Sequence, residues 1–167
     1  MGAKFRLVSE RGLRPELALI SMASLPVGDA RFTSSGVDPT LKLAWSKTLG
    51  ESTAASGNVV VSSVSDSGAR FTQRAVSFQL SRGLWRNWGG FWEAYLVSPV
   101  DRGGDGAWTF DTGVSHPLGR NAQFDVSVGQ QVVPLARCWF VGAGIVLRRP
   151  AWFARRRWIA APRLTTR

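Results

Sequence analysis

The chain of 167 residues contains one cysteine, Cys138, one histidine, His116, and one tyrosine. A lone cysteine excludes an internal disulfide, and with a single histidine it leaves too few soft ligands for a structural zinc site. No metal and no cofactor is therefore expected. A Ser/His/Asp or Cys/His arrangement finds no support either: His116 precedes Pro117 and reads as a solvated turn residue, while Cys138 opens a strand and reads as inert. Long hydrophobic runs are also missing. The 44% apolar content is scattered in short stretches, none near the roughly 18 residues that a helical membrane span needs. At the N-terminus, Glu10, Arg11 and Arg14 follow Met1 too closely to leave room for the apolar centre of a signal peptide. Arg6 stands where a myristoylation motif requires Ser or Thr.

Positive charge is concentrated at one end of the chain. Residues 148–167 hold seven arginines and no acid, for a charge of +7. Residues 1–147 hold fourteen Lys and Arg against eleven Asp and Glu, for only +3. The overall +10 thus belongs to a tail, and general nucleic-acid chemistry is not indicated. The organisation expected is a β domain over 1–147 and an Arg/Trp-rich tail over 148–167. In that tail Trp152, Phe153 and Trp158 interleave with arginines that would suit phosphates or an anionic membrane. A solvated, irregular or out-of-frame extension is the simpler account.

What the body does contain is segments of about ten residues rich in Val, Leu, Phe, Trp, Ser and Thr, separated by Gly, Pro, Asp and Asn. Strands are expected at 4–9, 15–26, 38–48, 55–65, 71–83, 89–98, 108–116, 121–132 and 138–147. Their connections alternate. Glu10–Arg14, Gly50–Ala54, Leu84–Trp88 and Pro117–Arg120 are tight, whereas the set Val27–Val37, Asp66–Arg70 and Pro99–Ala107 is mostly longer and more polar; Asp66–Arg70 and Val133–Arg137 blur the contrast. An up-and-down transmembrane barrel has this rhythm of short turns at one end and longer loops at the other.

Several strands alternate with period 2. Phe124, Val126 and Val128 oppose Gln123, Asp125, Ser127, Gly129 and Gln131, and Trp108, Phe110 and Val114 oppose Thr109, Asp111, Gly113 and Ser115. Val76, Phe78 and Leu80 oppose Gln73, Ala75, Ser77, Gln79 and Ser81; Trp139, Val141, Ala143, Ile145 and Leu147 oppose Phe140, Gly142, Gly144 and Val146. Alternation alone fits both a membrane barrel and a soluble all-β module holding a small apolar ligand. Two features favour the barrel. Trp85, Trp88, Trp108 and Trp139 fall near expected strand ends, as interfacial aromatics do. The other face is mostly Ser, Gly, Gln and Asp, which hydrates more easily in a lumen than it buries in a dry core.

Glu93, Asp111, Asp125, Gln79 and Gln123 are the lumen-lining candidates. The carboxylates would make a lumen cation-selective or pair with Arg74, Arg82 or Arg120. They have no nucleophile or histidine beside them, so the chain is not expected to be an enzyme. The loop Asp101-Arg102-Gly103-Gly104-Asp105-Gly106 lacks the spacing and closing Glu of a calcium loop and reads as an external loop.

Blocks along the chain resemble the outer-membrane family called putative MetA-pathway of phenol degradation. They are Pro15 through Ile20, Leu25 through Asp29, Ser35 through Pro39, Leu43-Ala44-Trp45-Ser46, Arg70 through Gln73, Trp88 through Glu93, Asp111 through Val114, Asn121 through Asp125 and Phe140 through Gly144. The resemblance covers about residues 14–146 and implies an all-β, antiparallel up-and-down transmembrane barrel in a Gram-negative outer membrane. It also implies passage of small, apolar or aromatic molecules, with lipid and the barrel-assembly machinery as partners and nucleic acid not among them. Family members begin with a signal peptide and further strands and finish on an aromatic residue, whereas here the arginine tail follows. Strand parity points the same way: if 138–147 descends, so does 4–9, and an ascending strand should precede it. The expectation is a truncated barrel of about eight to nine strands with a frame-shifted end.

Overall fold

The structure, a computed structural model, describes residues 1–27, 36–66, 68–133 and 136–148. All nine expected strands form: β1 (Gly2–Val8), β2 (Glu16–Ser24), β3 (Asp38–Thr48), β4 (Thr53–Asp66), β5 (Ala69–Gly83), β6 (Gly89–Ser98), β7 (Ala107–Pro117), β8 (Ala122–Val133) and β9 (Ala136–Leu147). They make one antiparallel sheet in which each strand pairs with the next in sequence. β1 and β9 run in the same direction and do not pair, so the sheet is open between them. Among the described residues no helix is long and apolar enough to cross a membrane.

Pairing places residues of like character in rows across the strands. One row runs Glu16, Ser46, Ser56, Gln79, Glu93, Asp111, Gly129, Phe140, and the adjacent outward row runs Leu17, Trp45, Gly57, Phe78, Ala94, Phe110, Gln130, Trp139. The sheet curls toward the first of these faces, since Thr53 and Ala54 of β4 and Gln123 and Asp125 of β8 border one groove. The other face is convex, and it is the apolar one. Val141 is 78% exposed, Ile145 67% and Trp139 73%. Among the described residues the buried hydrophobic core is only Ala18, Ala55 and Ala107. A sandwich buries its large apolar side chains between two layers; this sheet turns them outward.

The rhythm of the connections departs from expectation at two places. The loop expected at Asp66–Arg70 is instead the crown of a long hairpin, because β4 and β5 remain paired out to Asp66↔Ala69 and reverse beside Gly68 at φ +81°. β6 meets β5 only from Ser98↔Arg74 onward, so the hairpin projects about four residues, or roughly 13 Å, past β6. Likewise β9 begins at Ala136, inside the segment expected to connect it to β8. Clear length contrast survives at Leu25–Val37 and Pro99–Gly106.

Glycines let large rings lie flat on the sheet. A Cβ on Gly57 would meet Trp45 Nε1 at 2.7 Å, and one on Gly113 would meet the Phe91 ring at 2.6 Å. Gly129 lies beneath the Phe140 ring in the same manner. Trp45 reaches across Gly57 to Phe78, with ring centroids 6.0 Å apart. Such aromatic cover over a bare glycine compensates for the packing the glycine lacks.

Candidate functional site: the concave face

The concave face is lined by short polar side chains because every second residue of each strand points there. Many satisfy one another across strands. Asn58 Nδ2 donates to Ser77 Oγ (3.0 Å), Ser56 Oγ donates to Gln79 Oε1 (3.3 Å), and the Thr40 and Ser62 hydroxyls meet at 2.9 Å. Near the long-loop rim, Gln73 Nε2 donates to the carbonyls of Pro99 and Val100 at 3.0 and 3.1 Å. The result is a wall whose polar groups are largely fixed.

The five lumen candidates do share this face. Gln79, Glu93 and Asp111 are consecutive partners in one row across β5, β6 and β7. Asp125 pairs with Ser115, and Gln123 pairs with Pro117 nearer the tight-turn rim. Gln79, Gln123 and Asp125 border a groove of about 550 Å³ together with Ser81, Phe91 and Ser115. Thr109, only 1% exposed, and Asp111 each keep a buried side-chain oxygen without a hydrogen-bond partner in the structure. A hydrated cavity satisfies such atoms and a dry core does not.

The pairing of these carboxylates with Arg74, Arg82 or Arg120 does not occur. Arg74 and Arg82 have the parity of Val76 and Phe78, that of the convex face, although Arg82 at the rim also borders the groove, and Arg120 lies in the turn after β7. The cations that share the concave face are Lys4, Arg6 and Lys42, whose rows contain Ile20, Ala18, Ala44 and Asn58. Positive charge therefore gathers on β1 and β3, beside Glu16 of β2, and negative charge on β6–β8. The signal for the cations was present in sequence, since Lys4 and Arg6 alternate with Ala3, Phe5 and Leu7.

Of the four tryptophans expected at strand ends, Trp85, Trp88 and Trp108 lie at the sheet's rims and Trp139 lies inside β9. Trp85 and Trp88 flank the β5–β6 turn and Trp108 is the second residue of β7 at the opposite end. Trp139 is three residues past the start of β9 and pairs with Gln130, because β9 begins earlier than its sequence pattern suggests. Trp45 and Trp92, which the strand-end criterion passes over, are on the convex face nearer the tight-turn rim; Trp92 pairs with Leu80. His116 is not a solvated turn residue. It belongs to β7, its Nδ1 is buried without a partner, and its ring stacks on Trp88 with centroids 4.6 Å apart. Cys138 is an exposed residue of β9.

Ionic clamps hold the two rims. At the tight-turn end, Lys47 Nζ lies 2.7 Å from Glu10 Oε1, to which the Thr48 N–H also donates (3.1 Å). These contacts, with the Lys47 bond foremost, hold the Glu10 carboxyl below its ordinary range. At the other end, Arg70 reaches Asp38 (3.3 Å) and the Val37 carbonyl (2.6 Å), while Asp38 accepts from Ser65 N–H and Oγ at 2.9 and 2.7 Å. The Pro99–Ala107 loop closes through Val100 N–H to the Asp105 carbonyl (3.1 Å) and Gly104 N–H to the Asp101 carbonyl (3.2 Å). The arginine tail from Arg149 onward lies outside the described residues.

A family model described as Putative MetA-pathway of phenol degradation matches residues 1–148. No curated protein and no solved structure matches the chain.

Proposed function

The chain belongs to the family described as Putative MetA-pathway of phenol degradation, and from that premise we propose that it forms the wall of an outer-membrane pore for small molecules. The observation that carries this reading is the inverted distribution of polarity: the exposed convex face is apolar and the concave face is polar. Lipid suits the first and water the second. Trp85 and Trp88 at one rim and Trp108 at the other fit the depth of the two membrane interfaces.

The pore works by selection rather than by chemistry. Glu93, Asp111 and Asp125 bias it toward cations or uncharged solutes, since a wall of one sign repels ions of that sign. Phe71, Phe91, Tyr95 and Phe140 share the polar face by parity, and their rings offer apolar or aromatic solutes a surface to slide along. Residence in the outer membrane of a Gram-negative cell and delivery by the barrel-assembly machinery complete the proposal.

The test is reconstitution of the full chain in planar bilayers under a salt gradient. The expected result is a heat-modifiable, detergent-requiring β species whose cation preference falls when Glu93→Gln, Asp111→Asn and Asp125→Asn are combined. A β-rich monomer that stays in solution without detergent would overturn the proposal.

A further inference from the structure

Between β5 and β6 the chain reverses through Leu84-Trp85-Arg86-Asn87-Trp88. Trp88 N–H donates to the Trp85 carbonyl (3.1 Å) and Leu84 N–H to the Trp88 carbonyl (2.7 Å). Arg86 and Asn87 both take positive φ, 52° and 68°, as a hairpin turn matched to strand twist requires. Asparagine tolerates that region, whereas an arginine in it is strained. The turn therefore holds a guanidinium at its tip against the local preference of the backbone.

Beside this turn lies a groove of about 590 Å³ walled by Leu84, Trp85, Trp88 and Val114. Trp88 is braced by the stacked His116 ring, and Trp85 is 67% exposed. Gly90 leaves the groove room: it separates Arg82 from Val114 in one row of the convex face, and a Cβ there would meet Leu84 Cδ1 at 3.3 Å. Arg82 is thus separated from Val114 of the apolar floor by one glycine in the row, at the rim where it also borders the concave groove. Among the described residues neither Arg82 nor Arg86 forms a salt bridge. At the opposite rim, Arg70 is already engaged by Asp38.

We infer that this groove binds one anionic glycerophospholipid, with an acyl chain against Leu84, Trp85, Trp88 and Val114 and the phosphate between Arg82 and Arg86. The inference rests on the membrane reading above. An apolar trough selects a hydrocarbon chain, because burying such surface is what stabilises contact there. Two exposed arginines beside it, neither in a salt bridge among the described residues, select a phosphate carrying net charge. An anionic phospholipid supplies both at once, whereas a free phosphate lacks the chain and a zwitterionic lipid lacks the net charge.

The full chain reconstituted in phosphatidylcholine vesicles that contain a minor share of phosphatidylglycerol provides the test. Bromine is placed on the acyl chains of one lipid or the other, and quenching of tryptophan fluorescence is read. Brominated phosphatidylglycerol should quench more than its bulk share predicts. Arg82→Gln and Arg86→Asn should each lower that preference by about fivefold, the effect of one basic side chain at an anionic surface. Arg86→Asn keeps a residue suited to the turn, so a folding defect does not explain its loss. Arg74→Gln, on the same face toward the other rim, should leave the preference unchanged, and Trp85→Phe with Trp88→Phe should remove the selectively quenched signal. Quenching by both lipids in proportion to their shares would overturn the site while leaving the membrane reading intact. So would a preference that survives both arginine substitutions. Absence of quenching by either lipid would overturn the membrane reading and this site with it.

Discussion

The two faces of the sheet are built by the same strands, often by adjacent residues, yet they follow opposite rules. On the convex face, Val59, Val61, Val76, Phe78, Phe110 and Val141 are large, apolar and exposed. On the concave face, Ser56, Ser77, Gln79, Ser115 and Ser127 are small and polar. A soluble sheet places its large apolar residues where solvent is excluded; here solvent exclusion falls on the polar side. The difference teaches that hydrophobic burial within this chain is not what holds the sheet together. Backbone ladders and cross-strand contacts organise it, and under the proposed function the surrounding lipid supplies the apolar environment.

That contrast is broken most directly by moving charge from one face to the other. Val76→Arg, on the convex face in the middle of β5, should destabilise the protein in phospholipid vesicles by about 2–4 kcal/mol. Its neighbour Ser77→Arg, on the concave face, should cost under about 1 kcal/mol by the same reasoning. Urea unfolding in vesicles measures both, and equal losses would erase the distinction between the faces.

A smaller effect sharpens the account of the concave face itself. Gly129 sits against Phe140 and 2.7 Å from the Asp111 Cβ for any added methyl group, whereas Gly142 would meet only the Ser127 hydroxyl at 3.0 Å. Gly129→Ala should therefore destabilise by about 1–3 kcal/mol through overpacking, and Gly142→Ala by distinctly less. A reversed order in the unfolding midpoints would show that the Phe140 ring is not seated over Gly129.

The smallest effect belongs to the rim. The Glu10 carboxyl is held below its ordinary value by Lys47 and Thr48, so its folded form binds a proton less readily than its unfolded form. The stability it contributes is present above that ordinary value and disappears as pH falls through the lower folded one. Glu10→Gln should accordingly shift the unfolding midpoint slightly at neutral pH and not at all in stronger acid. A difference between the two proteins that persists in acid would count against the clamp.

Much of this was legible along the chain. The nine strands follow from local composition and turn residues, and faces such as Phe124, Val126 and Val128 against Gln123, Asp125 and Ser127 follow from period-2 geometry. Glu93 and Asp111 could be set on one face but not set opposite each other, since that depends on register. The pairing expected for Arg74 and Arg82 failed because their parity is that of the convex face. His116 was misjudged because its neighbour Pro117 signals a turn, while the Trp88 ring that stacks on it comes from another strand. Arg86 gave no sign of its left-handed backbone, because the hairpin imposes that conformation on the residue.

By itself, then, the sequence determined the strand grammar, the alternation of polar and apolar side chains, and the family to which the blocks belong. These are properties of neighbours in the chain, fixed by strand geometry over a few residues. Only the tertiary structure decided which face is concave, which carboxylates share a row, and that Arg82, Gly90 and Val114 line up beside a groove. Those relations depend on hydrogen-bond register and sheet curvature between strands, which no single stretch of sequence encodes.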